Sequence, residues 1–308
     1  MHVNLLPKND AFEEKGKVYD MKKRRYLTAL LFAVIVVLVL FPVFITLLYS
    51  FSSTDEIRRI LGARGRYGNE FMDIALFPRS LSIEQYQSIF DGSAEIIRYY
   101  INSVFYTFTI LAFQLLTVPA MAYGLSRFEF RGRNLLFYMI MVLCFLPFQI
   151  TMVPAVLALR RLRLLDTVWA IILPSIVSPF YVLGIRQSML GTPNELFDAA
   201  QLDGAGTIRC YFSIALPTSK PILMATAALS FAECWNMIEQ PLAYLPTKTE
   251  LYSFSLVFVH WAHKNTGVEF AEASLYFLFP LLMLFNGCRS CNRYAIGDKY
   301  KNNGIIKI

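Results

Sequence analysis

The sequence lacks the parts of a catalyst. It holds no Gly-x-x-x-x-Gly-Lys-Ser/Thr stretch, which excludes ATP binding through a P-loop. No nucleophile elbow, His-Glu-x-x-His stretch or paired catalytic carboxylates stand out either. His2, His260 and His263 are the only histidines, too few and too scattered for a metal centre. His260 and His263 flank Trp261 and read as interfacial or packing residues. Five cysteines show no framework spacing. Cys288-x-x-Cys291 has no second pair and no nearby histidine, so it reads as an ordinary pair at a membrane edge, and no metal is expected. Charge is scarce as well, at 17% of residues. The net charge of +7 could suggest a nucleic-acid partner. Its lysines and arginines instead gather just outside apolar runs, as membrane topology requires, so none is expected. No internal repeat, low-complexity tract or soluble domain is visible.

What the chain has is apolar length. Hydrophobic residues make up 56% of its 308 positions, with 26 phenylalanines and a mean hydropathy of +0.46. Long uncharged runs of this kind mean a bilayer. Residues 1–25 are polar and end in Lys22-Lys23-Arg24-Arg25, which places the N-terminus in the cytoplasm. Tyr26 to Thr54 follows without a charge, where about 20 residues suffice to span. A cleaved signal peptide competes for this run, but the run is too long for a signal core and lacks a small-residue cleavage site.

Residues 55–98 read as an outside loop, with an amphipathic helix starting near Ser82-Ile83-Glu84. Tyr99 to Ser126 is the second run, closed on the inside by Arg127, Arg131 and Arg133. Asn134 to Leu159 is the third, kinked or ended early at Pro147 and Pro154. Arg160, Arg161 and Arg163 then fall outside by alternation, against the local positive-inside trend. Thr167 to Ile185 is the fourth run. Pro221 to Ala232 begins a fifth that continues through Glu233, Trp235 and Asn236 towards Pro241. Residues 241–269 lie outside, Phe270 to Gly287 is the sixth run despite Glu272, and the basic tail 288–308 lies inside. The fold class is an all-α integral membrane protein with six transmembrane helices and both termini cytoplasmic.

The polar interruption Thr192–Pro217 between the fourth and fifth runs is the feature that composition alone does not explain. Thr192, Pro193 and Glu195 read as a hydroxyl cap, a first-position proline and a carboxylate three residues beyond the cap. Asp203-Gly204 supplies a turn. Ile208, Tyr211, Phe212 and Ala215 recur at helical spacing, so a second helix with one apolar face follows. A helix-turn-helix on the inner side between two spans is a docking surface. Beyond it, Trp235, Asn236 and Glu239 cluster near a proline-broken helix end. They serve either helix–helix hydrogen bonding or a cavity where aromatic faces and amides meet a polar solute.

Asp198-Ala199-Ala200, then Gln201-Leu202-Asp203, then Gly204, closing at Leu216-Pro217, resembles the Glu-Ala-Ala-x-x-x-Gly loop of inner-membrane permeases of binding-protein-dependent ABC importers. Aspartate stands where that loop has glutamate, keeping the charge with one methylene less reach. Pro193, Glu195, Leu196 and Ala205 also match. Asn102-Ser103, Ala122-Tyr123 with Arg127, Phe128, Phe130 and Gly132, Leu165-Asp166-Thr167, and Phe231 with Trp235-Asn236 and Pro241-Leu242 resemble the shorter subunit of maltose-type carbohydrate permeases. The likeness runs over roughly residues 26–285, and the tail departs from it.

The resemblance implies a type I importer permease fold, with a transmembrane domain over 26–287 and a cytoplasmic coupling loop about 186–220. It implies a transport subunit in a bacterial cytoplasmic membrane that is not itself an enzyme. Its partners would be a second, different permease, two ABC ATPase subunits that carry ATP and Mg, and an extracytoplasmic substrate-binding protein. This chain would bind no cofactor. Glu195, Asp198, Ala199, Ala200, Asp203, Gly204, Ala205 and Pro217 would dock the ATPase. Trp235, Asn236 and Glu239 would line the path of a carbohydrate of the oligosaccharide class. A permease for another solute, or a stand-alone secondary transporter, is the competing expectation.

Overall fold

The computed structural model describes residues 8–57, 77–92, 94–261 and 268–283 of the protein. The predicted tail with Cys288 and Cys291, His2 and His263, the arginines Arg58 to Arg66 and the last residues of the sixth run, 284–287, lie outside the described residues. Those described are helical throughout, joined by turns, with a single isolated β-bridge between Ser52 and Leu81. Contacts divide the chain into two compact units, Met1–Gln87 with Asn265–Leu275 and Ser88–Lys264 with Tyr276–Ile308.

In the first unit, α1 (Lys8–Tyr49) joins the polar N-terminal stretch and the first apolar run into one helix. No proline interrupts residues 8–41, and Pro42 leaves the helix continuous. Its stretch Arg25–Tyr49 is long and apolar enough to cross a membrane, and it is exposed over 25–42 and buried at its end, at Tyr49. α2 (Glu84–Gly92) starts where the sequence predicts, with the Ser82 hydroxyl accepting the Glu84 N–H at 3.1 Å. Gln85 is wholly buried. Its amide donates to the Tyr49 and Ser52 carbonyls at 2.7 and 2.9 Å and accepts the Ala271 N–H at 3.2 Å. Those bonds fasten the end of α1 to the start of the last described helix, α13 (269–283).

The second unit is built on α3 (Ala94–Arg127), which packs most extensively on α7 (Pro179–Leu190) and α10 (Lys220–Trp235). Two apolar cores flank it. Tyr106 and Ile110 belong to one, with Ala170 to Ile172 and Tyr244. Val118, Ala122 and Leu125 belong to the other, with Val182, Ile185 and Met189. The third apolar run becomes α4 (Arg133–Phe145) and α5 (Phe148–Arg161), bent by 112° at Pro147. Leu146 takes the extended conformation that a following proline imposes, which ends α4. Pro154 sits inside α5 without ending it.

The fourth run is α6 (Val168–Ser175) followed by α7, with a break at residues 176–178 that frees backbone carbonyls. In an apolar setting those carbonyls need partners. The buried Gln114 amide of α3 donates to Ser175 at 2.7 Å, and the Thr117 hydroxyl donates to Ile176 at 3.1 Å. The Gln114 oxygen in turn accepts the Ser230 hydroxyl of α10. Gln114→Leu removes the partner of two polar groups at once, the Ser175 carbonyl and the Ser230 hydroxyl, and a loss of about 1–3 kcal/mol of stability is expected, read as a lowered thermal midpoint of the purified protein.

The ends of this unit are defined by contacts. At one end the Asn102 amide donates to the Glu250 and Tyr252 carbonyls at 2.9 and 3.1 Å, and the Asp166 N–H donates to Tyr244 at 3.0 Å. The start of α3, the turn after α5 and residues 244–252 therefore meet there. At the other end Arg127 meets residues 189–197. Arg160 and Arg161, in the last turn of α5, lie just before the turn whose Asp166 meets Tyr244.

Asp166 adopts a left-handed backbone, φ 60°, and its carboxylate accepts the N–H groups of Thr247 and Lys248 at 2.9 and 3.2 Å. Burial nudges this carboxyl upward, but those N–H groups and the Lys248 charge outweigh it and hold it below the ordinary range. A lowered folded pKa gives stability that is present above the ordinary carboxylate value and lost as pH falls through the folded one. Protection of the Thr247 and Lys248 amides, taken as the exchange rate relative to an unstructured amide at the same pH, is therefore expected to hold from pH 5 to 8 and to fall as pH drops below about 4. Asp166→Ala, which has no acceptor there, is expected to lack that protection at every pH.

Candidate functional site

The polar interruption folds as α8 (Asn194–Leu202) and α9 (Thr207–Thr218), the latter carrying a π-helical turn over Tyr211–Ala215. α8 begins one residue later than the sequence predicts. Pro193 takes an extended ψ of 140° and becomes the cap residue, and no side chain caps the helix. Thr192 is committed elsewhere: its hydroxyl donates to Thr218 at 3.3 Å, and its carbonyl accepts Arg127 at 2.8 Å. Glu195 therefore sits in the first turn without closing a capping box.

The far end of α8 explains the motif's glycine. The Ala205 N–H bonds Ala200 at 2.8 Å and the Gly204 N–H bonds Gln201 at 2.9 Å. That pair of bonds closes a helix through a left-handed residue, here Gly204 at φ 80°. Glu195, Asp198, Ala199 and Leu202 fall at the i, i+3, i+4, i+7 spacing of one helix face, and all four are exposed. Leu202 is 89% exposed. Phe197 points the other way, 5% exposed, into the core that holds Met189 and Ala215. Ala200 and Ala205 are half-buried at this base, while Asp203, Gly204 and Pro217 are exposed.

α9 corrects one expectation. Ile208, Tyr211, Phe212 and Ala215 do not share a buried face: Ile208 and Phe212 are 75% and 62% exposed. Cys210 and Ala215 are buried, with Tyr211 and Ile214 packed against the same core. The wide π turn over Tyr211–Ala215 shifts the register that an unbroken 3.6-residue repeat would keep. α9 also does not stop at Pro217. It runs to Thr218 and meets α10 at a 74° bend around the fully buried Ser219, with Pro221 in the first turn of α10.

The second predicted cluster separates into one inward and two outward side chains. Trp235, the last residue of α10, is 1% exposed. Its ring stacks on Phe279 at 4.9 Å and Phe231 at 6.0 Å, with Tyr100 edge-on at 5.7 Å. Its indole N–H is buried without a partner among the described residues. Asn236 is exposed, donating to the Ala232 carbonyl at 2.8 Å and accepting the Tyr276 hydroxyl. Glu239 is exposed at the start of α11 (Glu239–Tyr244), its carboxylate accepting Gln149 of α5 at 3.1 and 3.3 Å. Among the described residues no His, Cys, Asp and Glu side chains group as metal ligands.

Sequence reasoning missed three participants. Arg127, Tyr276 and Gln149 each join one of these places from a distant part of the chain. The available signals were that Arg127 ends an otherwise uncharged run and is one of the residues of the permease resemblance.

The family model described as the inner membrane component of binding-protein-dependent transport systems matches residues 116–239, from within α3 to the first residue of α11. The chain is 27% identical over 263 residues to the arabinooligosaccharides transport system permease protein AraQ of Bacillus subtilis, covering 85% of this chain and 90% of that one. To the protein of the same name from Halalkalibacterium halodurans it is 32% identical over 214 residues, covering 70% and 73%. A solved bacterial ABC transporter involved in import of the acidic polysaccharide alginate superposes with a TM-score of 0.71 at 19% identity, covering 94% of this chain and 99% of that chain. At that identity the likeness is one of fold.

Proposed function

The chain belongs to the inner membrane components of binding-protein-dependent transport systems, and from that membership we propose that it is one permease subunit of an ATP-driven importer of an oligosaccharide. The relatives' printed substrate, arabinooligosaccharides, supports the carbohydrate class. The observation that carries the coupling is α8: a short helix with Glu195 and Asp198 on an exposed face, anchored by Phe197 and closed by Gly204. Such a helix can seat in a groove of an ATPase and pass on rigid-body motion. Glu195, Asp198, Ala199, Asp203, Gly204 and Pro217 are the outward contacts, with Ala200 and Ala205 fixing the base.

Six spans with both termini cytoplasmic fit the alternation of runs and the two-ended grouping of contacts in the second unit. Three described helical stretches are long and apolar enough to span, or five with the two bent pairs; the sixth span of this reading is built on α13. On this topology residues 1–25 and 288–308 are cytoplasmic, 26–287 form the membrane domain, and the loop about 186–220 faces the ATPases. The energy comes from two ABC ATPase subunits that bind ATP and Mg, since this chain has no P-loop. A second, different permease completes the pathway, and an extracytoplasmic binding protein delivers solute towards the 241–269 side. Asn236 and Glu239 offer polar atoms to the path, and Trp235 supports them from behind, in a bacterial cytoplasmic membrane. The cycle is alternating access, in which closure of the ATPases moves α8 and switches the permease pair.

The test is uptake by the assembled complex in proteoliposomes, with labelled arabinooligosaccharide and the binding protein outside. Uptake that needs ATP inside and the binding protein outside supports the proposal. Uptake of a non-sugar solute alone removes the carbohydrate assignment, and uptake driven by an ion gradient without ATP removes the importer assignment.

A further inference from the structure

α8 is joined to α7 and α9 by the chain itself and shares an apolar core with α3 through Phe197, and among the described residues its hydrogen-bonded tie to α3 is made by Arg127. Arg127 is the last residue of α3. One guanidinium nitrogen donates to the Met189 and Thr192 carbonyls at 2.6 and 2.8 Å, and the other donates to the Asn194 side chain. The plane of the group lies over the Phe197 ring, 3.9 Å from its centroid. Met189 lies in the last turn of α7, where the helix dipole favours a cation, and its carbonyl accepts the Thr192 N–H at 3.2 Å as well as Arg127. A planar fork with several donors fills this role, and the point charge of a lysine does not.

α3 carries further attachments along its length. Gln114 braces the α6–α7 break and meets α10 through Ser230, while Asn102 holds residues 250 and 252 at the opposite end. Between Asn102 and Arg127 the helix runs about 38 Å at 1.5 Å per residue.

Resting on the importer reading, we propose that Arg127 is the positioning residue that fastens the docking helix α8 to α3. Movement imposed on α8 is thereby delivered through α3 to the 244–252 turn on the far side. Arg127 acts through the helix it holds. Arg186 is the natural control. It donates to the Leu125 carbonyl at 3.2 Å and lies over Phe137, at the same end of α3 but without contact to α8.

The experiment measures solute taken up per ATP hydrolysed by the reconstituted complex for wild type, Arg127→Ala, Arg127→Lys and Arg186→Ala. A residue that only supports folding lowers uptake and hydrolysis together and leaves their ratio unchanged. The expected result is a ratio lowered about tenfold in Arg127→Ala, within ordinary coupling factors, with the ATPases still bound, and lowered to a lesser degree in Arg127→Lys. Arg186→Ala should keep the wild-type ratio. If Arg127→Ala fails to assemble, Arg127→Lys decides by the same ratio. An unchanged ratio in the Arg127 variant that assembles, or an equal fall in Arg186→Ala, overturns the proposal. Wild-type complex without ATP-driven uptake would instead overturn the importer reading, so the two failures are distinct.

Discussion

Gly204→Trp is expected to reduce ATP-driven uptake to background while leaving the chain's abundance in the membrane near normal. A Cβ at this position meets nothing within 4 Å, so the first atom of the new side chain is accommodated. The damage has two other sources. The backbone at φ 80° is left-handed, which costs a non-glycine residue about 1–2 kcal/mol. The relaxed alternative undoes the Ala205–Ala200 and Gly204–Gln201 bonds that fix the end of α8. The indole also projects from an exposed turn beside Asp198 and Asp203, where the ATPase is proposed to approach.

Two companion substitutions separate strain from bulk. Gly204→Asn keeps the left-handed conformation at low cost and should retain most uptake, because asparagine visits that region routinely. Gly204→Val, small but β-branched, should lose about 5–30-fold, the factor that 1–2 kcal/mol corresponds to. Equal uptake in the asparagine and valine variants would show that the backbone conformation at Gly204 has no part in docking.

Trp235→Ala is expected to cost about 3–5 kcal/mol of stability, the usual range for removing a buried large aromatic. Trp235 is among the largest fully buried side chains, and the Phe231, Phe279, Tyr276 and Tyr100 rings all lean on it. Trp235→Phe should cost much less, because it keeps an aromatic face and removes an indole N–H that has no partner among the described residues. Thermal unfolding of the detergent-purified protein checks both. A Trp235→Ala protein as stable as wild type but impaired in uptake would return this residue from the packing to the solute path.

The apolar runs, the break at Pro147 and the amphipathic start near Ser82 were legible in the sequence because each depends on neighbours within a few residues. Gly204 was legible as a turn for the same reason, although its role as the closing residue of α8 needed the two backbone bonds. The cap at Thr192 was misread because its groups are taken by Thr218 and Arg127, 26 and 65 positions away. Local spacing carries no trace of such partners. The apolar face of α9 was misread because a single π turn resets the helical phase. Trp235, Asn236 and Glu239 are adjacent in sequence, but α10 ends between the first two, so one side chain turns into the unit and two turn out. Arg127 reads in the sequence as a boundary charge and as one of the residues of the permease resemblance, and nothing near it in sequence points to α8.

The most direct test of the account is to purify the tagged chain from its native membrane with and without residues 198–204 and quantify the proteins that accompany it. The account predicts that the intact chain brings an ABC ATPase and a second permease in fixed ratio, and that the deletion keeps the permease and loses the ATPase. An intact chain that transports solute with no ATPase bound, or a deletion that keeps both the ATPase and uptake, would contradict it.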